Sequence, residues 1–389
     1  MNQGKTVFSQ LMDFIPRYEF NQCIAKYGGH HRVRRFSCND QFYCMAFAQL
    51  TYRESLRDLE LCLRSFSDRL YHIGIRGKVA KSTLADANER RDWRIYAELA
   101  STLIQRARHL YSNDNHELDF NQPLYAFDST TIDLCLSLFP WAQFRRRKSA
   151  IKLHTLMDLN GNIPCFIYIS TGRMTDRTSL DFLPIEPGSF YVLDRGYIDF
   201  ARLFRFTKSM AFFVTRAKNN LDFDYREHRS IDKTTGLRSD ANIRLKGPKT
   251  RHRYPELLRR VVYRDHESGK RFVFLTNNFS LPAIRIAELY RCRWQIELFF
   301  KWIKQHLRIK SFFGLSPNAV HTQIWIAVSV YVLIAIIRKE LKIDKTMAEM
   351  LQVLSVTLFE KTPILQLLNQ RNPGTSDGDA CKQLNLFDF

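Results

Sequence analysis

Apolar residues recur three and four positions apart in the first quarter of the chain, in Leu56, Leu59 and Leu63 and again in Trp93, Tyr96, Leu99 and Leu103. That spacing lays one side of a helix on a core, so residues 8 to 111 read as helical, with no strand pattern among them. Gly74 and Gly77 break the pattern, and Ser82 or Thr83 is the expected cap of a helix running through Arg90, Arg91 and Arg94. Helix, glycine turn and basic helix is the order of a helix-turn-helix. A groove-reading helix and a solvated basic helix both satisfy that order, and charge does not separate them.

Past a polar linker, Ser112 to Pro123, apolar positions alternate instead. Strands are expected at Leu124 to Thr130, Ile151 to Asp158, Ile163 to Thr171, Phe190 to Asp194 and Ala211 to Arg216, with Asn160-Gly161 as a hairpin turn. Helices are expected at Arg177 to Leu183 and Phe200 to Ser209. A three-strand meander, a helix, then strands alternating with helices predicts an α/β fold built on a ribonuclease-H-like mixed sheet.

Residues 217 to 280 interrupt the alternation with 15 Lys and Arg against 8 Asp and Glu. They read as a β-rich insertion closing on strands at Arg259 to Tyr263 and Arg271 to Thr276. One long helix is expected from Leu281 to about Leu307, capped by Ser280 with Pro282 in its first turn. The apolar run Ile324 to Ile337 falls short of the roughly 18 residues of a membrane span and has polar flanks, so it reads as a buried core helix. The expected organisation is a helical region at 1–115 whose helix-turn-helix order makes it the candidate DNA-binding part, a mixed-sheet domain in two parts at 120–216 and 281–343, the insertion at 217–280, and a helical tail at 344–389.

Composition adds the partner. Of 389 residues, 59 are Lys or Arg and 39 Asp or Glu, a formal charge of +20, which makes an extended polyanion the natural ligand. Hydrophobic residues at 45% suffice for a sizeable core. The 8 cysteines form no C-x-x-C pair or zinc spacing and read as reduced thiols. No signal peptide is evident in Met1 to Pro16, so a cytoplasmic, nucleoid-associated protein with no membrane partner is expected.

The chemistry lies in carboxylates. Asp128 in YAFDST and Asp194 in YVLDRGY each end an apolar strand run, where a lone aspartate is most often a turn former or cap. Tyr290, Arg293, Glu297 and Lys304, at spacings of three, four and seven, share one helical face of roughly 60°. Leu289, Ile296, Phe299 and Ile303 form the apolar stripe beside it. Three carboxylates without His or Cys suit a hard ion, Mg²⁺ or Mn²⁺. Two such ions can serve a phosphodiester displacement. Arg293 can fork two phosphate oxygens and Lys304 supply a point charge, although Arg293 and Glu297 also form an ordinary i,i+4 pair. Arg145, Arg146, Arg147 and Lys148 fit phosphate contact that gives affinity without sequence reading. Asp133, Asp158, Asp176 and Asp181 read as turn or cap residues, and His154 as a packed histidine.

The Y-x(2)-R-x(3)-E-x(6)-K spacing of Tyr290, Arg293, Glu297 and Lys304, with YAFDST and YVLDRGY, resembles the bacterial insertion-sequence DDE transposases of the IS-four group. RESLRDLE from Arg53 and STLADANERRDW from Ser82 are similar to the amino-terminal region of one branch. The resemblance implies that Asp128, Asp194 and Glu297 are a metal triad for two Mg²⁺ or Mn²⁺ ions. Tyr290, Arg293 and Lys304 become DNA-backbone ligands. It further implies cut-and-paste transposition of double-stranded DNA, from terminal inverted repeats to a target, with a homodimer in the DNA complex. Some members stack a flipped base on a Trp in the insertion. No Trp lies here between Trp141 and Trp294, which leaves Tyr225 or Tyr254 for that task. The rival readings are a structure-selective nuclease on the same fold and a catalytically inactive DNA-binding relative.

Overall fold

Alternating apolar positions pair into one ten-stranded sheet in the computed structural model, which describes residues 4–31, 33–75, 77–112, 114, 120, 122–146, 148–306 and 312–369. Its strands are β1 Leu124–Leu134, β2 Gln143–Arg145, β3 Lys148–Asp158, β4 Ile163–Thr171, β5 Phe190–Leu193, β6 Phe212–Arg216, β7 Phe223–His228, β8 Leu237–Leu245, β9 Leu258–Arg264 and β10 Arg271–Thr276. The order is β2-β3-β1-β5-β6-β10-β9-β8-β7, with β4 also on β3. β1, β3 and β4 form an antiparallel meander, while β5 and β6 run parallel to β1. The path β4-β3-β1-β5-β6 with these directions is the ribonuclease-H-like sheet. The Asn160-Gly161 turn closes β3 onto β4 with positive φ at Gly161 and Asn162. Gly161 lies against the Tyr111 ring, where a Cβ would collide.

The insertion extends the same sheet, since β10 pairs antiparallel with β6 and β9, β8 and β7 follow in turn. Its anchor is a buried ion pair: Arg259 forks Asp240 at 2.8 and 2.7 Å, the two side chains being 2% and 4% exposed. The same guanidinium donates to the Leu281 carbonyl at 2.6 Å. A buried charge pair is tolerated when its remaining donors are also satisfied, and here they reach the chain that leads into the helix after β10.

The helices are α1 Val7–Met12, α2 Arg17–Lys26, α3 Cys38–Leu50, α4 Leu56–Ser65, α5 Lys81–Arg90, α6 Arg94–Tyr111, α7 Asp176–Ser179, α8 Phe200–Lys208, α9 Pro248–Arg253, α10 Ala283–Arg291, α11 Trp294–His306, α12 Pro317–Glu340, α13 Met347–Thr357 and α14 Ile364–Asn369. The expected single helix over 281–307 is therefore two, and its end from 307 lies outside the described residues. Between them Arg293 N donates to Tyr290 O at 3.1 Å, Gln295 N to Cys292 O at 3.1 Å and Ile296 N to Arg293 O at 3.2 Å. These i to i−3 bonds tighten one turn and change the angle at which Arg293 and Glu297 leave the axis. Ser280 is not the cap; Asn278 Oδ1 accepts from the amides of Ser280 and Leu281 at 3.1 and 2.9 Å and turns the chain toward α10.

α12 is long and apolar enough to cross a membrane, but Ile324 to Ile337 is buried inside the protein except for the half-buried Trp325. It packs on α3, α5 and α6 as well as on β4. Tyr111 Oη donates to Ala335 O at 2.9 Å and Tyr331 Oη to Asn162 O at 3.0 Å. The amino-terminal helices thus share their core with a helix from the far end of the chain. The chain after α13 returns to α1, where Val7 N and Phe8 N donate to the carbonyls of Glu360 and Leu358, both at 2.8 Å.

Candidate active site

Parallel register builds the site. Phe127 is level with Leu193, and Leu193 with Thr215, so one step further Asp128, Asp194 and Arg216 stand in a row across three neighbouring strands, Asp194 and Arg216 at the ends of β5 and β6 and Asp128 within β1. Pairing of β1 with β5 stops at Phe127, which opens that edge of β1 from Asp128 onward. Adjacent strand residues face opposite ways. Ala126, Val192 and Val214 join the core that contains Leu289 and Ile296, whereas Phe127 and Leu193 join the core under α8. Asp128, Asp194 and Arg216 therefore lie on the face carrying α10 and α11.

Those helices complete the cluster. Arg293 Nη1 lies 3.0 Å from Asp128 Oδ2, and Nη2 lies 2.5 Å from Glu297 Oε1. Tyr290 Oη donates to Asp194 Oδ1 at 3.3 Å, and the guanidinium sits 5.8 Å from the Tyr290 ring centre. Ser129 N donates to Asp128 Oδ1 at 2.8 Å and Gly196 N to Asp194 Oδ2 at 3.3 Å. Tyr197 Oη reaches Asp128 Oδ1 at 3.5 Å.

The electrostatics favour a cation. Burial, reinforced by Asp194 and Glu297, raises the Asp128 carboxyl to about 6 against the pull of the Ser129 amide and Arg293. Burial works on Asp194 as well, but the amides of Arg195 and Gly196 and the charges of Arg293 and Arg216 hold it below the usual carboxylate range. Burial, helped by Asp194, pushes the Tyr290 phenol up to about 12. Three oxygen donors with surplus negative charge fit a hard divalent ion. Among the described residues no three His, Cys, Asp or Glu side chains are close enough to hold one as they stand. Asp128 and Glu297 turn oxygens toward Arg293, so using these as metal ligands requires the guanidinium to withdraw.

Arg216 had no role in the sequence pattern, which shows it only as the last residue of a strand. Its charge is felt at both Asp194 and Tyr290, and it lies 5.8 Å from the Phe272 ring centre. The signal that finds it is the level of β6 against β5, which a single sequence does not carry.

The remaining expectations divide. Lys304 lies two turns beyond Glu297 on α11, half-buried. Arg145, Arg146 and Lys148 are exposed on the β2–β3 hairpin, while Arg147 lies outside the described residues. Thr155 is opposite Asp128 and Lys148 is seven residues away on the same strand, so this basic edge is on the order of 20 Å from the carboxylates. Tyr254 is fully buried and bonded to Thr207 at 2.8 Å, which removes it as a base platform; Tyr225 on β7 is 49% exposed. His154 is buried as a packed residue, and burial drives its pKa down to about 4. Asp158 pairs with Arg108 and Asp181 with Arg202.

In the amino-terminal region α5 starts after Ala80 with no side-chain cap, so Ser82 and Thr83 lie inside the helix. Arg91 donates to Ser37 O at 2.7 Å and Gln41 Oε1 at 3.0 Å. Arg94 forks Asp92 at 3.0 and 2.6 Å. The exposed charges left on α5 are Lys81 and Arg90 against Asp86 and Glu89, a balanced face.

Comparison with known proteins supplies the family. The family described as "Transposase DDE domain" matches residues 119–333, a span that contains Asp128, Asp194, Arg216, Tyr290, Arg293 and Glu297. A domain of unknown function (DUF4372) matches residues 3–76. A putative transposase, y4zB, of Sinorhizobium fredii is 33% identical over 72% of this chain and 78% of its own. A probable transposase for insertion sequence element IS5377 of Geobacillus stearothermophilus is 28% identical over 86% and 85%. Among solved structures, a piggyBac transposase synaptic complex with hairpin DNA is similar at a TM-score of 0.42 and 12% identity, covering 95% of this chain and 84% of that one. With its matched span enclosing the whole carboxylate cluster and covering more than half of its length, the chain belongs to the transposase DDE domain family.

Proposed function

We propose that this DNA transposase binds the inverted-repeat ends of its own element, nicks them by metal-assisted hydrolysis, and joins the freed 3′ hydroxyl to target DNA. The observation that carries the reading is the meeting of Asp128, Asp194 and Glu297 with Tyr290 and Arg293 across three parallel strands. A DDE domain works with divalent metal; Asp128, Asp194 and Glu297 would hold two Mg²⁺ or Mn²⁺ ions, whose positive charge would activate an attacking oxygen and stabilise a leaving one. Arg293, released from the carboxylates, forks two phosphate oxygens beside the cut. Arg216 holds the next phosphate from the other end of the row. Tyr290 donates a hydrogen bond to Asp194 and holds that carboxylate in place at the end of β5. Arg145, Arg146 and Lys148 grip duplex farther along, with Lys304 as a point charge. Bringing two ends together makes the DNA complex a homodimer. The protein acts in the cytoplasm, on nucleoid DNA.

The test is to supply end DNA, a second duplex and Mg²⁺ or Mn²⁺, and to follow nicking and joining separately. Both are expected, and both stop on chelation. Nicking without joining identifies the nuclease instead; binding without either identifies an inactive relative.

End binding is expected to weaken steeply with salt, log K falling with log salt by about 0.9 for each phosphate neutralised. A flat salt dependence contradicts the polyanion partner. Arg216→Ala is expected to lower that slope by about 1 and to weaken all sequences alike, with the melting temperature unchanged. An unaltered slope removes Arg216 from the DNA contact.

A further inference from the structure

Behind Asp128, on the opposite face of the sheet, lies a polar cluster that the proposed chemistry does not use. Ser129 follows Asp128 on β1 and faces the other way. Its hydroxyl donates to Asp176 Oδ1 at 2.8 Å. The same carboxylate oxygen accepts from Lys152 Nζ at 2.9 Å, and Lys152 also donates to Met174 O at 3.0 Å. Lys152, on β3, is only 11% exposed. His154, two residues along on the same face, is buried and bonded to Ser170 at 2.9 Å.

Asp176 was expected to be a turn or cap residue. It is neither, because α7 begins after Thr175 with no side-chain cap and Asp176 is its first residue. The carboxylate is spent on Ser129 and Lys152. What it holds is informative: the Ser129 amide is the nearer of two donors to Asp128 Oδ1, at 2.8 Å against 3.5 Å for Tyr197 Oη. At this point β1 has lost its β5 neighbour and keeps only β3 along its other edge. A tether on Ser129 restores the missing restraint where a carboxylate must keep one orientation.

We propose that Asp176 and Ser129 are positioning residues: the Lys152-backed Asp176 carboxylate anchors the Ser129 hydroxyl, and the anchored Ser129 amide sets the orientation of Asp128 for metal. This rests on Asp128 holding metal in the proposed function. Partners of this kind around a metal ligand are worth roughly ten- to a hundredfold in metal affinity or activity. The amide itself survives in every variant below, so the lower end of that range applies.

The experiment uses the full chain with Ser129→Ala, Ser129→Thr, Asp176→Asn and the Ser129→Ala/Asp176→Asn double variant. Mn²⁺ alone is titrated into DNA-free protein by electron paramagnetic resonance, and end binding, nicking and melting temperature are measured beside it. Ser129→Ala and Asp176→Asn are each expected to weaken Mn²⁺ and slow nicking about tenfold, with end binding little changed; melting is little changed in Ser129→Ala and lowered in Asp176→Asn, which leaves Lys152 without its counter-charge. Ser129→Thr restores most of the loss, and the double variant is no worse than either single, since both break one tether. Parental Mn²⁺ affinity and nicking in Ser129→Ala overturns the proposal, as does a double variant showing the product of the two losses. Melting that falls in step with activity, Ser129→Thr included, assigns the cluster to the fold and also overturns it. A parent that binds Mn²⁺ but never nicks end DNA sinks the transposition chemistry instead, and the Mn²⁺ titration still tests the tether.

Discussion

Glu297→Gln is expected to bind end DNA as tightly as the parent and to lose nicking and joining by on the order of a thousandfold or more, the scale of a lost transition-state charge contact. The amide keeps the size and helix preference of the glutamate but removes one of three negative charges. Binding survives because the cations that meet phosphate are Arg293, Arg216 and the β2–β3 hairpin. Stability changes by less than about 1 kcal/mol, since the Glu297 side chain is 37% exposed and Arg293 keeps its bond to Asp128. Purified variant and parent are compared for end binding, nicking and joining with Mg²⁺ and Mn²⁺. Parental chemistry in the variant displaces Glu297 from the triad. The next carboxylate to consider is then Glu288, which pairs with Arg285 at 3.0 Å on α10. Loss of binding together with chemistry makes the Arg293–Glu297 pair a structural element.

The meander and its parallel continuation were legible because their strands are apolar on alternate positions and bounded by turn residues: β4 is the expected Ile163 to Thr171, and β5 and β6 differ from expectation by one residue. β1 runs four residues past the expected Thr130 because β3 pairs with it as far as Leu134, a partner that local sequence does not contain. β8 was missed because Asp240 occupies an inward position that reads as polar until Arg259 is seen beside it. β7 was missed because it is a charged edge strand, which is how exposed sheet edges avoid further pairing. At the site, the meeting of the two aspartates with Tyr290, Arg293 and Glu297 was legible in motif spacing. Arg216, the tightened turn at Cys292 and Arg293, and the Ser129–Asp176 tether depend on strand level and on contacts between distant segments. The expected helix-turn-helix is not drawn tightly: residues 66–80, with a 3-10 turn at Leu70–Ile73, separate α4 from α5, and Arg91 and Arg94 lie beyond the end of α5 with internal partners.

Arg259→Met should destabilise the protein by about 3–5 kcal/mol, the cost of leaving a buried partner charge uncompensated. Asp240 is then buried without its fork, and the Leu281 carbonyl loses its donor. Asp240→Leu/Arg259→Met is expected to recover much of that loss, because a buried pair replaced by apolar side chains is often close to neutral. The double variant still lacks the bond to Leu281, two residues before α10 starts. Since α10 and α11 present Tyr290, Arg293 and Glu297 to the strand ends, its stability should return further than its nicking rate. Urea denaturation of parent, single and double variants measures the first effect, and nicking of end DNA the second. A single variant within about 1 kcal/mol of the parent means that Asp240 has found another partner or water. A double variant that recovers stability and full nicking together means that the insertion anchors the sheet without positioning the helix that carries Glu297.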